Sequence, residues 1–492
     1  MGKRMIIIGS GIAGIATSIR LAKKGYRVTV FEANPYPGGK LSAFELGNYR
    51  FDAGPSLLTM PQYIEALFEL CGEDPHHHFT YSQKKVGCHY FWEDGTALKA
   101  FENKERFFKE VHQTLGVHPQ VLASYLKKAK KKFDLTQSIF LNKTLHKIKS
   151  FLNRETLNAL LHIRSLEIGK SLNAVNEEQL KEPHLVQLYN RFATYNGSNP
   201  YQTPGIMSLV QHLESHYGTF VPTKGMVSIT NSLVELAKRQ GVDFRFNEKV
   251  DEIVVENKTV RAVLTKQGSY TTDYVCSNMD VYPTYNYLLP HEKPPRTIDQ
   301  ERSSSAVIFY WGIETTFDAL DLHNIFFSED YKKEFETLFN LKTVSDDPTV
   351  YVNITAKDIP EDAPEGCENW FVMVNTPPDT GQDWETLVKH IRARILKKLN
   401  RMLKVNLQDF IVQEQVLSPP EIEKKTHSYQ GALYGTASND KFAAFLRHPN
   451  FSQQIKQLYF CGGSVHPGGG IPLCLLSAKI VADQLPQLNT EE

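Results

Sequence analysis

The feature that most constrains this chain is its opening. A short apolar run, Met5-Ile-Ile-Ile-Gly9, flows directly into Gly9-Ser-Gly11-Ile-Ala-Gly14. Ile15, Ile19 and Leu21 then recur at helical spacing as far as Gly25, a helix stop, and a second strand, Arg27–Phe31, ends on Glu32. Strand, glycine turn, helix and strand in that order form a dinucleotide-binding unit and predict an α/β fold. Gly9 permits the tight turn, Gly11 lets the backbone approach a pyrophosphate, and Gly14 lets helix and strand pack closely. The helix N-terminus offers free N–H groups to phosphates. Glu32, eighteen residues past Gly14, is placed to accept hydrogen bonds from both ribose hydroxyls and to repel a 2′-phosphate.

Two further loops follow at once, Pro37-Gly38-Gly39-Lys40 and Phe51-Asp52-Ala-Gly54-Pro55-Ser56. Glycine loops so closely spaced imply a long cofactor with more than a pyrophosphate to wrap. G-x-G-x-x-G, then Glu, then P-G-G-K, then D-x-G-P resembles the opening of the FAD-dependent amine oxidase and phytoene desaturase superfamily. At the far end, Gly462-Gly463-Ser464-Val465-His466-Pro467-Gly468-Gly469-Gly470-Ile471-Pro472 follows an apolar strand and precedes a helix predicted to start at Pro472. The glycines let backbone approach a flat ring, and the helix aims its positive end at a ring that turns negative on reduction. This stretch is similar to the signature of the bacterial-type phytoene dehydrogenases. It is most like the carotenoid 3,4-desaturases that act on 1-hydroxylated ends, although Val465 and Gly469 depart from the commoner form. A third match, Tyr195–Leu209 with Val221–Met226, is similar to the middle block of the same desaturases. The matches together span nearly the whole chain.

The resemblance implies FAD held by Gly9, Gly11, Gly14, Glu32, Gly38, Gly39, Lys40, Gly54, Pro55, Ser56, Gly462, Gly463, Gly470, Ile471 and Pro472, with the strand around Val250 passing the adenine. It implies a hydride moving from an allylic C–C bond of an acyclic carotenoid to flavin N5, and quinone or oxygen as reoxidant. Alternatives within and beyond that chemistry are a phytoene- or lycopene-type desaturase, a carotene isomerase, an amine-type flavin oxidase and a non-catalytic lipid-binding escort protein. Family members use a carboxylate followed by an arginine near the middle block. The matching residue here is Glu182, in Glu182-Pro-His-Leu-Val186, and Val186 stands where the arginine is expected. His466 is the other catalytic candidate.

The expected architecture is an α/β Rossmann-like FAD-binding domain with an interleaved α+β substrate domain and a helical region able to associate with a membrane. Residues 1–75, 223–282 and 441–492 are assigned to the FAD domain, 76–222 to a substrate/helical region that turns strand-like over Val86–Ala100 around Glu93-Asp94-Gly95, and 283–440 to a substrate-binding sheet with its helices. The aromatic strands of that sheet, with Phe309, Tyr310 and Trp311 on the strand from Ala306 to Ile313, suit a long apolar tunnel or simply a core. Tyr270–Cys276 reads as one strand. Leu126–Leu152 carries Lys127, Lys128, Lys130, Lys131, Lys132, Lys143, Lys147 and Lys149 against one acid, Asp134, with apolar residues between. Such a segment can lie apolar face down on a membrane or pack on its own domain. A carotenoid lives in the bilayer, which favours a peripheral protein on the cytoplasmic face. The formal net charge of zero recruits no nucleic acid. The six cysteines form no C-x-x-C pair, and His76-His77-His78 lacks the supporting ligands of a metal site, so no metal is expected. The apolar run at the N-terminus is too short for a signal peptide.

Overall fold

The computed structural model describes residues 2–140, 145–146, 161–439 and 447–488. Its first sheet has five parallel strands in the order Leu458–Phe460, Tyr274–Ser277, Arg4–Ile8, Arg27–Phe31, Asp243–Arg245. From Met5 to Ile8 the central strand is apolar because both of its faces are covered. Met5 and Ile7 enter one core, and Ile6 and Ile8 enter another. Helices Ile12–Lys23, Val227–Arg239 and Ile471–Gln484 pack on the first side. An antiparallel meander, Val250–Glu256, Thr259–Thr265 and Gly268–Thr271, covers the second.

The run expected as one strand over Tyr270–Cys276 is two. Gly268–Thr271 ends the meander, and Tyr274–Ser277 enters the parallel sheet. Strand Arg4–Ile8 sets the break: the Asp273 carboxylate accepts the Arg4 N–H at 2.8 Å, and the Thr272 hydroxyl donates to the Arg4 carbonyl at 3.1 Å.

The second sheet has seven strands, in the order Ile411–Leu417, Ser305–Ile313, Glu368–Thr376, Val350–Ile354, His323–Phe326, Val86–Phe91, Ala97–Phe101. Period-2 alternation divides its residues between two faces. Val307, Phe309, Trp311, Val350, Val352, Trp370, Val372 and Val374 point to one side, under helix Trp384–Leu403 and its Ile391, Ile395 and Leu399. Ile308, Tyr310, Tyr351, Phe371 and Met373 point to the other. The segment 76–222 gives this sheet two strands, Val86–Phe91 and Ala97–Phe101, where the strand-like pattern around the turn at Glu93-Asp94-Gly95 places them. The hairpin Ala43–Leu46/Tyr49–Asp52, from the first FAD segment, also lays Phe44, Tyr49 and Phe51 on the sheet. The two domains share their seam.

Helix Pro119–Phe140 begins the lysine-rich segment. Leu122, Tyr125, Ala129 and Phe133 are buried in the protein, while Lys127, Lys128, Lys130 and Lys131 are exposed. Lys132 breaks the pattern by turning inward to Gly205 O at 3.1 Å, Ser208 Oγ at 2.7 Å and the carboxylate of Glu167. As far as Phe133, then, the apolar face belongs to the protein's own core, and Lys127, Lys128, Lys130 and Lys131 face out with Ala123 and Ser124. Residues 141–144 and 147–152 of the expected amphipathic segment lie outside the described residues. Among the described residues, no helix is long and apolar enough to cross a membrane, and no cluster of His, Cys, Asp and Glu could hold a metal ion.

Candidate cofactor and substrate site

One continuous cavity of about 1120 Å³ runs from the glycine turns of the first sheet onto the open face of the second. Of the residues expected to hold the cofactor, Gly9, Gly11, Glu32, Gly38, Gly39, Lys40, Gly54, Pro55, Ser56, Val250, Gly462, Gly463, Gly470, Ile471 and Pro472 all line it. Gly14 stands behind the wall, where a Cβ would overlap the Gly9 carbonyl oxygen and come within 2.9 Å of Asn278 Oδ1. A Cβ on Gly11 would meet the same Oδ1 at 2.6 Å. A Cβ on Gly54 would overlap the Lys40 carbonyl oxygen. The groove's shape thus depends on side chains that are missing.

Polar groups then define what the groove can hold. Glu32 Oε2 accepts the Ser10 N–H and hydroxyl, both at 2.8 Å, and Oε1 accepts the Asn34 N–H at 2.9 Å and side-chain amide at 3.0 Å. These four bonds fix the carboxylate and fill its lone-pair sites, so a ribose hydroxyl binds there by displacing one of the side-chain donors, the Ser10 hydroxyl or the Asn34 amide. Lys40 is half-buried, its ammonium donating to Leu433 O at 2.9 Å and Ala432 O at 3.3 Å, and desolvation pulls its pKa down to about 8. Arg447 donates to Tyr434 O at 2.8 Å and Gly463 O at 3.2 Å. The N-terminus of Ile471–Gln484 points into the same end of the cavity, with Gly470 at φ 103° before its first residue. Two cations and a helix dipole suit a ring that gains negative charge when reduced, and the glycine-walled groove suits its pyrophosphate. The donor set fits FAD.

The helix starts at Ile471, one residue before the expected Pro472. Gly469 is small for a packing reason: a Cβ there would lie 3.1 Å from Tyr434 Cα. Val465 is fully buried among Ile6, Ile8 and Phe460. His466 lines the cavity, with its N–H on His448 O at 3.0 Å, its carbonyl accepting from Asn450 Nδ2 at 2.7 Å and its ring edge-on to His146. Asp52, inside the D-x-G-P loop, is a strut. It accepts the N–H groups of Met226 and Val227 at 2.9 and 3.2 Å and pairs with Arg50.

Glu182 does not line the cavity and is corrected to a structural role. It caps helix Pro183–Asn190, accepting the N–H groups of His184 at 3.2 Å and Leu185 at 2.6 Å, with His184 Nδ1 at 2.8 Å. Pro183 at the first helical position leaves Glu182 as the N-cap, and its carboxylate takes N–H groups that the helix itself leaves unpaired. Val186 is buried in the apolar core beside Leu185.

Sequence reasoning reached the aromatic strands of the substrate floor but missed which of their residues face the cavity, and it missed the polar end. The floor is Ile308, Tyr310, Phe371, Met373, Tyr351 and Ile325, alternate positions of neighbouring strands. Of the aromatic trio Phe309-Tyr310-Trp311, only Tyr310 reaches the cavity, and its hydroxyl donates to Ala53 O at 2.7 Å. At the polar end, Arg191 donates to Tyr195 and Tyr90 at 3.1 and 2.9 Å, and Tyr195 donates to Glu214 at 2.5 Å. The neighbouring His323 and Tyr351 are 2.7 Å apart. Strand alternation could have flagged the floor, but nothing local unites Arg191, Glu214 and His323, which come from separate elements.

The comparisons agree with this geometry. Residues 12–486 match the family described as flavin containing amine oxidoreductase. The chain is 54% identical to the 1-hydroxycarotenoid 3,4-desaturase of Flavobacterium sp. (strain P99-3), over 99% of this chain and all of that protein. It is 32% identical to the 4,4'-diaponeurosporene oxygenase of Staphylococcus aureus (strain MSSA476), over 99% and 98% of the two chains. Among solved structures, the cyclohexylamine oxidase of Brevibacterium oxydans superposes with a TM-score of 0.63 at 14% identity, covering 98% of each chain, a likeness of fold. A match over nearly the full length, on a groove shaped for FAD, settles the assignment: the chain belongs to the flavin-containing amine oxidoreductases and is an FAD-dependent oxidoreductase.

Proposed function

We propose that this flavoenzyme desaturates an acyclic carotenoid, introducing the 3,4 double bond next to a 1-hydroxylated end. The observation that carries this reading is the full-length relative at 54% identity, a 1-hydroxycarotenoid 3,4-desaturase. The cavity supports it, because its floor crosses several strands and is apolar and aromatic. Bound FAD supplies a two-electron acceptor for hydride from a C–H bond of the carbon pair that becomes the double bond. The chain's part is to hold the polyene flat over Tyr310, Phe371, Tyr351 and Met373, whose ring faces and sulfur tolerate positive charge spread along it. A cation delocalised over a polyene loses its proton to a weak base or to water, so no strong base has to line the floor.

The test is the visible spectrum of FAD-loaded protein without oxygen, before and after adding carotenoids in liposomes. Bleached flavin with the polyene band moved to the red is expected, fastest with a 1-hydroxylated substrate. Faster turnover of phytoene or lycopene would move the enzyme to that branch. Bound flavin that no polyene reduces would favour the isomerase or amine-oxidase reading, and a protein that never turns yellow would be the escort type.

We also infer that the protein works at the cytoplasmic membrane surface and passes its electrons to a quinone or to oxygen. Supporting this, the exposed lysines of Pro119–Phe140 stand on one helix, and Leu161 and Ile163 are 76% and 50% exposed a short way along the chain. Replacing Lys127, Lys128, Lys130 and Lys131 with Gln should release the protein from anionic vesicles; retained binding would sink the idea. Anaerobic turnover restored by added quinone identifies the quinone as acceptor.

A further inference from the structure

One cavity-lining side chain is poised for a partner that the protein does not supply. His323, on strand His323–Phe326, is 4% exposed, and its Nε2 has no hydrogen-bond partner. The surrounding bonds identify which nitrogen carries the proton. The Asn353 side-chain amide donates to Leu322 O at 3.0 Å, which fixes its nitrogen end, and its other N–H meets His323 Nδ1 at 3.2 Å. The Tyr351 hydroxyl lies 2.7 Å from the same Nδ1. Nδ1 is thus the acceptor, and a neutral ring bears its hydrogen on Nε2. Burial, with Lys84 and Arg191 adding to it, pulls the imidazole down to about 3 and keeps it neutral. A buried donor without an acceptor is costly and calls for an explanation.

The position matches a particular ligand group. A carotenoid end hydroxylated at C1 carries one polar atom, two carbons from the bond that loses hydrogen. Whatever binds that hydroxyl must therefore sit beside the cofactor, not at the far mouth of the cavity. His323 does so: Tyr351, its hydrogen-bonded neighbour, is 2.8 Å from Ser56 Oγ in the Gly54–Ser56 loop of the FAD site. Arg191 also lines the cavity with its Nε unpaired, but its cation is held by Tyr90 and Tyr195 and lies near Glu214. A neutral imidazole N–H suits an alcohol oxygen better than a paired full charge does.

We propose that His323 Nε2–H donates a hydrogen bond to the oxygen of the substrate's C1 hydroxyl, making His323 the residue that selects hydroxylated over plain polyene ends. The proposal rests on the hydroxycarotenoid reading above and adds the group that enforces it.

The test compares kcat/KM for a 1-hydroxylated carotenoid and for the same polyene without the hydroxyl, both in liposomes, on protein whose flavin absorbance shows full loading. His323→Phe should cut the preference for the hydroxylated substrate about ten- to a hundredfold, with turnover of the plain substrate little changed. His323→Gln, which keeps an N–H at similar reach, should retain most of the preference. Should the Phe variant fail to load FAD, His323→Asn, too short to reach, takes its place and should show the same loss. Equal loss on both substrates, or a preference that survives His323→Phe, overturns the assignment while leaving the substrate reading intact. A wild-type enzyme with no preference overturns the hydroxylated-substrate reading, and His323 falls with it.

Discussion

The cofactor groove and the substrate floor meet in one cavity but are built by opposite rules. The groove comes from contiguous motifs, Gly9–Gly14, Gly38–Lys40, Gly54–Ser56 and Gly462–Pro472, in which absent side chains make the space. The floor comes from alternate residues of strands scattered between residues 305 and 417, where present side chains make the surface. A pyrophosphate and a flat ring ask for backbone at close range, so their site is written in consecutive residues. A long apolar substrate asks for breadth, which a sheet face supplies with every second residue of each strand. A groove can therefore persist across enzymes with different substrates while the floor changes one position at a time.

The sharpest way to break that contrast is to fill the groove. Gly14→Ala puts a methyl group into the Gly9 carbonyl and the Asn278 amide, both fixed. Purified protein should lose at least about nine-tenths of its flavin absorbance and about 3 kcal/mol of stability in denaturant melts, within the range of overpacked cores. Full yellow colour at wild-type stability would mean that the groove is looser than its geometry.

Two adjacent residues on strand Glu368–Thr376 sharpen the comparison within the floor. Met373 faces the cavity, and Val372 faces helix Trp384–Leu403. Met373→Trp should leave flavin binding unchanged and lower kcat/KM for the carotenoid by roughly a hundredfold, a loss of about 2.7 kcal/mol read by steady-state kinetics. Val372→Ala should do the reverse, costing roughly 2 kcal/mol of stability through a cavity with turnover kept. Equal effects of the two on turnover would refute the division of faces.

Lys40 tests the groove from its electrostatic side. Burial holds the folded ammonium near 8, below its ordinary 10.5. Between those values the unfolded chain binds the proton that the folded one has released, so stability rises with pH. FAD-free protein should gain about 2 kcal/mol from pH 8 to pH 10 relative to Lys40→Met, measured by denaturant melts. Bound FAD, whose anionic phosphates favour the charged lysine, should flatten that rise.

How legible each region was follows from the same contrast. Gly9, Gly11, Gly14 and Glu32 announce a cofactor turn because their roles are local, and Gly462 to Pro472 do so for the ring end. The floor was only half readable. The aromatic strand Ala306–Ile313 was evident, but which of Phe309, Tyr310 and Trp311 faced the substrate depended on which side helix Trp384–Leu403 covered. The turn at Thr272-Asp273 was invisible because it is fixed by bonds to Arg4, far away in sequence. His323, Arg191 and Glu214 carry no joint pattern at all, since the fold alone brings their elements together.

Glu182 shows how a motif carry-over fails on the same ground. The resemblance proposed a catalytic carboxylate, but the local sequence, an acid before Pro183, describes an N-cap, and the cap is what forms. Its carboxylate already takes two backbone N–H groups and the His184 ring, and it lies outside the cavity. Glu182→Ala should cost about 1 kcal/mol of stability, the worth of a helix cap, and leave kcat within about twofold. Glu182→Asn or Glu182→Asp, which also cap, should recover most of that stability. A drop of a hundredfold or more in kcat, with flavin fully bound and the melt unchanged, would return Glu182 to the chemistry. It would also mean that helix Pro183–Asn190 moves toward the cavity when substrate enters.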